Sequence, residues 1–294
     1  MIDLHIHTTC SDGTYTPEEV VELCKEKNIE VMAITDHDTV EGLKEGRKKA
    51  EELGITFING IEFSTDYYGK EVHILGYFLN IEDEAFLKEI KLLGEEREKR
   101  TELMLEKLKR YGINITMEDV LEEVKGNLIS RTHIAGAMYK KGYIRSRKEA
   151  FINYIGSGKG AYIPKENLSP ARAVKLIKDN GGLAFVAHPK LISLGEKRTL
   201  ELLDILQEVG LDGLEIYYPS FSSIDIAYYS RIAKERGLIA SGGSDFHGGN
   251  RIEISIGVSN VKNDIYEAML ERLESQKNEK VRRNNEKVNK IFKK

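Results

Sequence analysis

The chain of 294 residues is 40% hydrophobic and 31% charged with five prolines, the make-up of an ordinary globular protein long enough for one barrel-sized core carrying an insertion. No apolar run approaches a membrane span, and residues 1–5 have neither the basic start nor the apolar stretch of a signal peptide, so a cytoplasmic protein without a membrane partner is expected. A formal charge of −4 excludes a whole-protein field for duplex nucleic acid, although 276–294 sets eight basic residues against two acidic ones, as a solvated terminal helix or a polyanion-attracting tail does. Two cysteines, Cys10 and Cys24, are too few for a disulfide framework and read as structural thiols in a reduced compartment.

Residues 1–60 alternate strand and helix patterns, the signature of consecutive βα units around a parallel sheet. In 2–7 the aliphatics fall on one parity, so a strand sends Asp3, His5 and His7 to a common face. Thr16, Pro17 and Glu19 then form a helix start, with Thr16 as N-cap, Pro17 in the first turn and Glu19 completing a capping box. A strand over 30–34 delivers Thr35-Asp36-His37-Asp38, and the next helix ends at Gly54, a C-terminal cap. Further strands are expected over 55–58 and 71–78. From 83 to 168 the pattern changes to long charged helices, with Phe86, Ile90 and Leu93 at helical spacing, and this stretch reads as an inserted helical subdomain. Ser169-Pro170 restarts the alternation, with strands expected over 183–187, 213–217, 238–241 and 253–258. Alternation alone leaves both a closed barrel and an open doubly wound sheet possible.

Of the seven histidines, His5, His7, His37, His73, His188 and His247 fall in or just after predicted strands, and only His133 lies in the insertion. Carboxylates accompany them: Asp12 after the first strand, Asp36 and Asp38 around His37, Glu62 after the third strand, and Asp245 two residues before His247. Strand ends of a βα barrel face one cavity, so these side chains are expected to converge. A His-x-His pair, an Asp-x-His context and a glutamate together point to metal. Mixed imidazole and carboxylate donors suit Zn²⁺, Mn²⁺ or Fe²⁺ better than Ca²⁺, and the scarcity of cysteine argues against a thiolate site.

The segments His5-x-His7 with Ser11-Asp12-Gly13, Ile34-Thr35-Asp36-His37-Asp38, Gly60-Ile61-Glu62, Val72-His73-Ile74-Leu75-Gly76-Tyr77, Ala187-His188-Pro189 and Gly243-Ser244-Asp245-Phe246-His247 resemble the ordered motifs of the PHP (polymerase and histidinol phosphatase) superfamily. The resemblance implies an α/β fold, a distorted (β/α)7 TIM-like barrel of residues 1–82 and 169–294, interrupted by a helical substrate-recognition subdomain at 83–168. It also implies two or three divalent ions, Mn²⁺, Fe²⁺ or Zn²⁺. Carried over residue by residue, one ion takes His5, His7, Glu62 and Asp245; a second takes Asp12, His37 and His247; a third takes His73 and His188, with Glu62 as the bridge. Asp36 is expected to orient a ligand histidine, and Asp36, His37 and Glu62 are the expected catalytic residues. Such a cluster suits phosphate ester hydrolysis. No Gly-x-Ser-x-Gly elbow, P-loop or Rossmann fingerprint competes with that reading.

Within the insertion, Leu128-Ile129-Ser130-Arg131-Thr132-His133-Ile134-Ala135 resembles the Arg-Pro-His-Ile-Ala segment of a subgroup acting on nucleoside 3′,5′-bisphosphates and short RNA, with Thr132 in place of the proline. Tyr162-Ile163-Pro164-Lys165 resembles that subgroup's closing segment. The expectation is that Arg131, His133 and Lys165 hold a 5′-phosphate while the metals hydrolyse the 3′-phosphoester, and that repetition trims short single-stranded RNA from its 5′ end. No obligate protein partner is implied. Read without the resemblance, Arg131 and His133 are better taken as capping and solubilising a helix, and residues i and i+2 converge only at an irregular start. Histidinol-phosphate hydrolysis and a non-catalytic accessory domain are the alternatives. The complete ligand set weighs against the second.

Overall fold

The computed structural model describes residues 1–291 except 125, 127 and 165–167, and side chains at all of these but 280 and 283–291. Seven strands form one sheet in chain order: β1 (Ile2–Asp3), β2 (Val31–Ile34), β3 (Thr56–Tyr67), β4 (Lys70–Tyr77), β5 (Leu183–Val186), β6 (Gly213–Tyr217) and β7 (Ile239–Gly242). The sheet curls until the segment after β7 meets the segment after β1. Leu4 N donates to Gly242 O at 3.3 Å, Asp245 N donates to His5 O at 2.8 Å, and Ile6 bridges Phe246 in parallel. This nearly closed ring is the distorted TIM-like barrel that the motifs imply.

The helices follow as α1 (Pro17–Glu26), α2 (Leu43–Leu53), α3 (Glu84–Lys109), α4 (Met117–Leu121), α5 (Arg131–Lys140), α6 (Arg147–Ala150), α7 (Pro170–Asp179), α8 (Glu196–Glu208), α9 (Ser223–Glu235) and α10 (Asp264–Ile291). The local signals act as read: Thr16 and Glu19 form the capping box of α1, Gly54 ends α2 in the left-handed conformation, and Ser169 caps α7. None of the described helices is long and apolar enough to cross a membrane.

Alternation along the strands separates two cores. On β2, Val31 and Ala33 join an inner cluster with Leu4, Ile58, Leu75 and Phe185, whereas Met32 and Ile34 join an outer one against the helices. Ile265 and Met269 of α10 join the inner cluster and so cover one end of the barrel. The insertion has its own core of Met104, Leu108, Val120, Ile134, Met138 and Ile155. Helix α3 belongs to both, because Phe86, Ile90 and Leu93 in its first half pack on the barrel's outer core.

Three expectations need correction. The sheet is not uniformly parallel: β4 runs antiparallel to both β3 and β5. Only Tyr68 and Gly69 separate β3 from β4, both at positive φ (52° and 71°), and a two-residue turn joins antiparallel strands only. The third strand does not stop at 58 but runs through Tyr67, so Glu62 lies inside it rather than after it. No strand forms over 253–258. Within it Gly257 turns to φ 77° and donates its N–H to Asp3 at 2.8 Å, so that segment is a turn tied to β1.

The end of the barrel under α10 is fastened by Asp212, which is buried and accepts from Lys178 Nζ at 2.6 Å, Ala184 N at 2.9 Å and Gln276 Nε2 at 2.6 Å. Removing one partner from a buried charged network leaves the others unsatisfied. Asp212→Ala should therefore lower unfolding free energy by about 2–4 kcal/mol in urea denaturation. A loss below about 0.5 kcal/mol would deny the fastening role.

Candidate metal centre

The opposite end of the barrel collects six of the seven histidines. His5 and His7 follow β1, His37 follows β2, Glu62 sits within β3, His188 follows β5, and Asp245 and His247 follow β7. Because β4 is reversed, His73 reaches the same end from the first half of its strand. Tight packing makes this possible. A Cβ at Gly243 would lie 2.4 Å from His5 N, so the chain beside β1 accepts only glycine at the position two residues before Asp245. Asp38, His188 and Asp245 take positive φ of 50°, 28° and 53°. Such backbone costs roughly 1–2 kcal/mol per residue. Each is pinned: Ser64 N donates to Asp38 at 2.9 Å, His188 N donates to Glu215 at 2.8 Å, and Asp245 N donates to His5 O at 2.8 Å.

At the centre, Glu62 is 1% exposed. Its Oε1 lies 3.4 Å from His5 Nε2, 2.9 Å from His73 Nδ1 and 3.1 Å from His188 Nε2. Its Oε2 lies 3.3 Å from His7 Nε2 and 3.1 Å from His37 Nδ1. Burial works against its charge, but His73, His5 and His37 outweigh that penalty and hold the carboxyl well below the usual carboxylate range. Asp245 Oδ1 stands 3.1 Å from His7 Nε2 and 3.4 Å from His5 Nε2; Asp12 Oδ1 stands 3.2 Å from His247 Nε2.

Three groups bring their donor atoms within 4.8 Å of one another: His5, His7, Glu62 and Asp245; His7, Asp12, His37 and His247; and His37, Glu62 and His73. The first is the set expected from the sequence. The second adds His7 to its expected members. The third gathers His37 with Glu62 and His73, while His188 touches the same Glu62 oxygen without joining that group.

The donor chemistry fits cations. His5 Nδ1 is 2.9 Å from Glu215 Oε1 and His247 Nδ1 is 2.8 Å from the Asp245 carbonyl, so each ring hydrogen-bonds outward and presents Nε2 to the centre. Those Nε2 atoms face carboxylate oxygens, and His5 Nε2 lies only 3.1 Å from His7 Nε2. Among the described residues, His7 Nδ1 is buried with no hydrogen-bond partner, and it lies 3.9 Å from Asp12 Oδ1.

Asp36 departs from its expected place. Its oxygens accept from Thr8 N at 2.7 Å, Thr8 Oγ1 at 2.6 Å and Ser11 Oγ at 2.5 Å, so it braces the loop leading to Asp12 instead of orienting a histidine. A sequence reading missed Glu215, although a carboxylate between Leu214 and Ile216 in a buried strand was its signal. It also missed Tyr218 and Arg251, which hold Asp245 Oδ2, the tyrosine at 2.7 Å, and Arg97, which ties Asp38 and Ser64 on the barrel to Ile129 O of the insertion.

Above the centre lies a cleft of about 750 Å³ between barrel and insertion. Asp12, His37, His73 and His247 line its floor; Arg131, Lys148 and Phe151 line its roof, with Arg97, Arg100 and Arg251 at its sides. Arg131 begins α5, pairs with Glu71, and stacks 5.4 Å from the Tyr162 ring and 5.7 Å from the Phe151 ring. Burial opposes its charge, and Glu71 more than offsets this, raising the guanidinium above its ordinary value. His133 does not converge with it. The helix start is regular, and His133 Nδ1 turns back to accept from Ser130 N at 3.1 Å in a capping box. Burial pushes that imidazole down to about 4, leaving it neutral. Lys165 lies outside the described residues.

A model of the PHP domain matches residues 3–188. A 3′,5′-nucleoside bisphosphate phosphatase of Chromobacterium violaceum is 33% identical over 247 residues, 84% of this chain and 87% of its own. A 5′-3′ exoribonuclease of Haemophilus influenzae is 34% identical over 248 residues, covering 83% and 89%. Among solved structures, a protein of Bifidobacterium adolescentis described as a metal-dependent phosphoesterase superposes with a TM-score of 0.82 at 30% identity, covering 92% of this chain and 95% of the other.

Residues that orient a ligand imidazole affect metal retention without touching the ion. Glu215→Ala should weaken divalent-metal affinity by about 10–100-fold, read by competition with a chromophoric chelator on folded protein. An unchanged affinity would show that the His5–Glu215 contact does no such work.

Proposed function

Since the chain belongs to the PHP domain family, we propose that it is a metal-dependent phosphoester hydrolase that removes the 3′-phosphate of nucleoside 3′,5′-bisphosphates and trims short 5′-phosphorylated RNA from its 5′ end. The observation that carries this reading is the single cleft in which the histidine and carboxylate centre faces Arg131. One end suits the phosphate that reacts, the other a phosphate that is held.

Two or three divalent ions, of which Mn²⁺, Fe²⁺ and Zn²⁺ all suit the donors, are assigned to His5, His7, Asp12, His37, Glu62, His73, His188, Asp245 and His247. When bound, they supply hydroxide near neutral pH and charge neutralisation at the phosphoryl oxygens. Glu62 would bridge bound ions, because its two oxygens face different sets of imidazoles. Arg131 offers a guanidinium fork at the start of α5, where helix N–H groups also favour an anion. Phe151 and Tyr162 keep its plane fixed. Since His133 is engaged with Ser130, the phosphate clamp is assigned to Arg131 without it.

Hydrolysis of the 3′-phosphoester leaves a nucleoside 5′-phosphate. In an RNA chain the same cut at the first linkage exposes a new 5′-phosphate, so one geometry serves both substrates.

A hydrogen bond to a charged group contributes about 1.5–3 kcal/mol, so Arg131→Ala should raise the apparent KM for adenosine 3′,5′-bisphosphate by roughly ten- to a hundredfold. Adenosine 3′-monophosphate, lacking the distal phosphate, should be affected far less. Steady-state kinetics on folded, metal-loaded protein decide. Equal losses of kcat/KM on both compounds, or better wild-type turnover of histidinol phosphate than of the bisphosphate, would reject the assignment.

A further inference from the structure

The same nucleoside 5′-phosphate group that Arg131 is assigned to hold in the substrate is still present on the product. A clamp of full strength therefore retains product as firmly as it binds substrate, since the distal group contributes equally before and after the 3′-phosphate is lost. The cleft contains a carboxylate placed to temper it. Glu71, near the start of β4, pairs with Arg131 Nη2 and lines the same cleft. Its other oxygen, Oε1, lies 3.5 Å from His73 Nε2. The orientation of Arg131 does not depend on Glu71 alone, because Phe151 and Tyr162 flank the guanidinium and Ile155 O lies 3.5 Å from its Nη1.

We propose that Glu71 is a specificity-determining carboxylate that shares Arg131 with the distal phosphate: an incoming phosphate must displace or crowd it, and it takes the guanidinium back as the product leaves. This rests on the assignment of Arg131 as the distal phosphate site. Its consequence is a weakened hold on nucleoside 5′-phosphates, the product of every cycle, in exchange for faster clearance of the cleft. Neutralising Glu71 removes the competitor for the Arg131 guanidinium.

The test is calorimetric titration of adenosine 5′-monophosphate into metal-loaded wild type, Glu71→Gln, Arg131→Ala and the double variant, with metal content measured for each. Glu71→Gln should bind the nucleotide about fivefold or more tightly than wild type, and that gain should vanish when Arg131 is also alanine. Because the contact with His73 makes loss of metal a separate route to change, Glu71→Ala, which adds no new donor beside His73, is the second arm. Unchanged or weaker binding in whichever of the two retains full metal content overturns the inference. So does a gain that survives in the double variant, since Glu71 then acts on the nucleotide elsewhere. Binding by Arg131→Ala equal to wild type overturns the distal-phosphate assignment itself, and is distinguishable because it is read without touching Glu71.

Discussion

The rest of this molecule depends on the burial of one carboxylate, Glu62, among the imidazoles of His5, His7, His37, His73 and His188. Stripped of water, a carboxylate needs compensating positive charge, and lone-pair nitrogens facing it offer that only when protonated or when sharing a cation with it. The hydrogen bond of His5 Nδ1 to Glu215 leaves the His5 Nε2 directed at the Glu62 carboxylate. A sheet that closes on itself is what brings donors from six strands to one point. The antiparallel β4 is part of that solution, since reversal lets His73 enter from the start of its strand.

Around this centre a second ring of contacts fixes direction. Glu215 joins the His5 ring to the His188 backbone, Tyr218 and Arg251 grip the far oxygen of Asp245, and Asp36 braces the loop bearing Asp12. Arg97 links barrel to insertion, so the roof of the cleft is tied to the same end of the barrel as its floor. The candidate metal centre and Arg131, the proposed phosphate clamp, are therefore held in a common frame, as the proposed reaction with two phosphates at a set separation requires.

Much of this was legible in the chain. Capping signals at Thr16, Gly54 and Ser169, the His5-x-His7 pair, and the spacing of His37, His188, Asp245 and His247 are each visible in a few residues, although the first strand ends at Asp3 and does not carry the pair. What stayed hidden depends on contacts between distant segments. The reversal of β4 rests on a two-residue turn inside a run of strand-forming residues, and the apolar pattern of 253–258 was overridden by the tie between Gly257 and Asp3. The family resemblance implied that Asp36 orients a ligand histidine, yet its oxygens face Thr8 and Ser11. His133 shared a motif with Arg131 but not a direction, since two residues along a regular helix diverge.

The bridging role of Glu62 is the central claim, and metal stoichiometry tests it most directly. Wild type and Glu62→Gln, each unfolded, reconstituted with Mn²⁺ on refolding and freed of excess ion, should be compared by elemental analysis alongside circular dichroism. Wild type should retain about two to three ions per chain, and the folded variant at least about one fewer. Retention of no more than one ion by wild type, or of the same number by both proteins, would contradict the account.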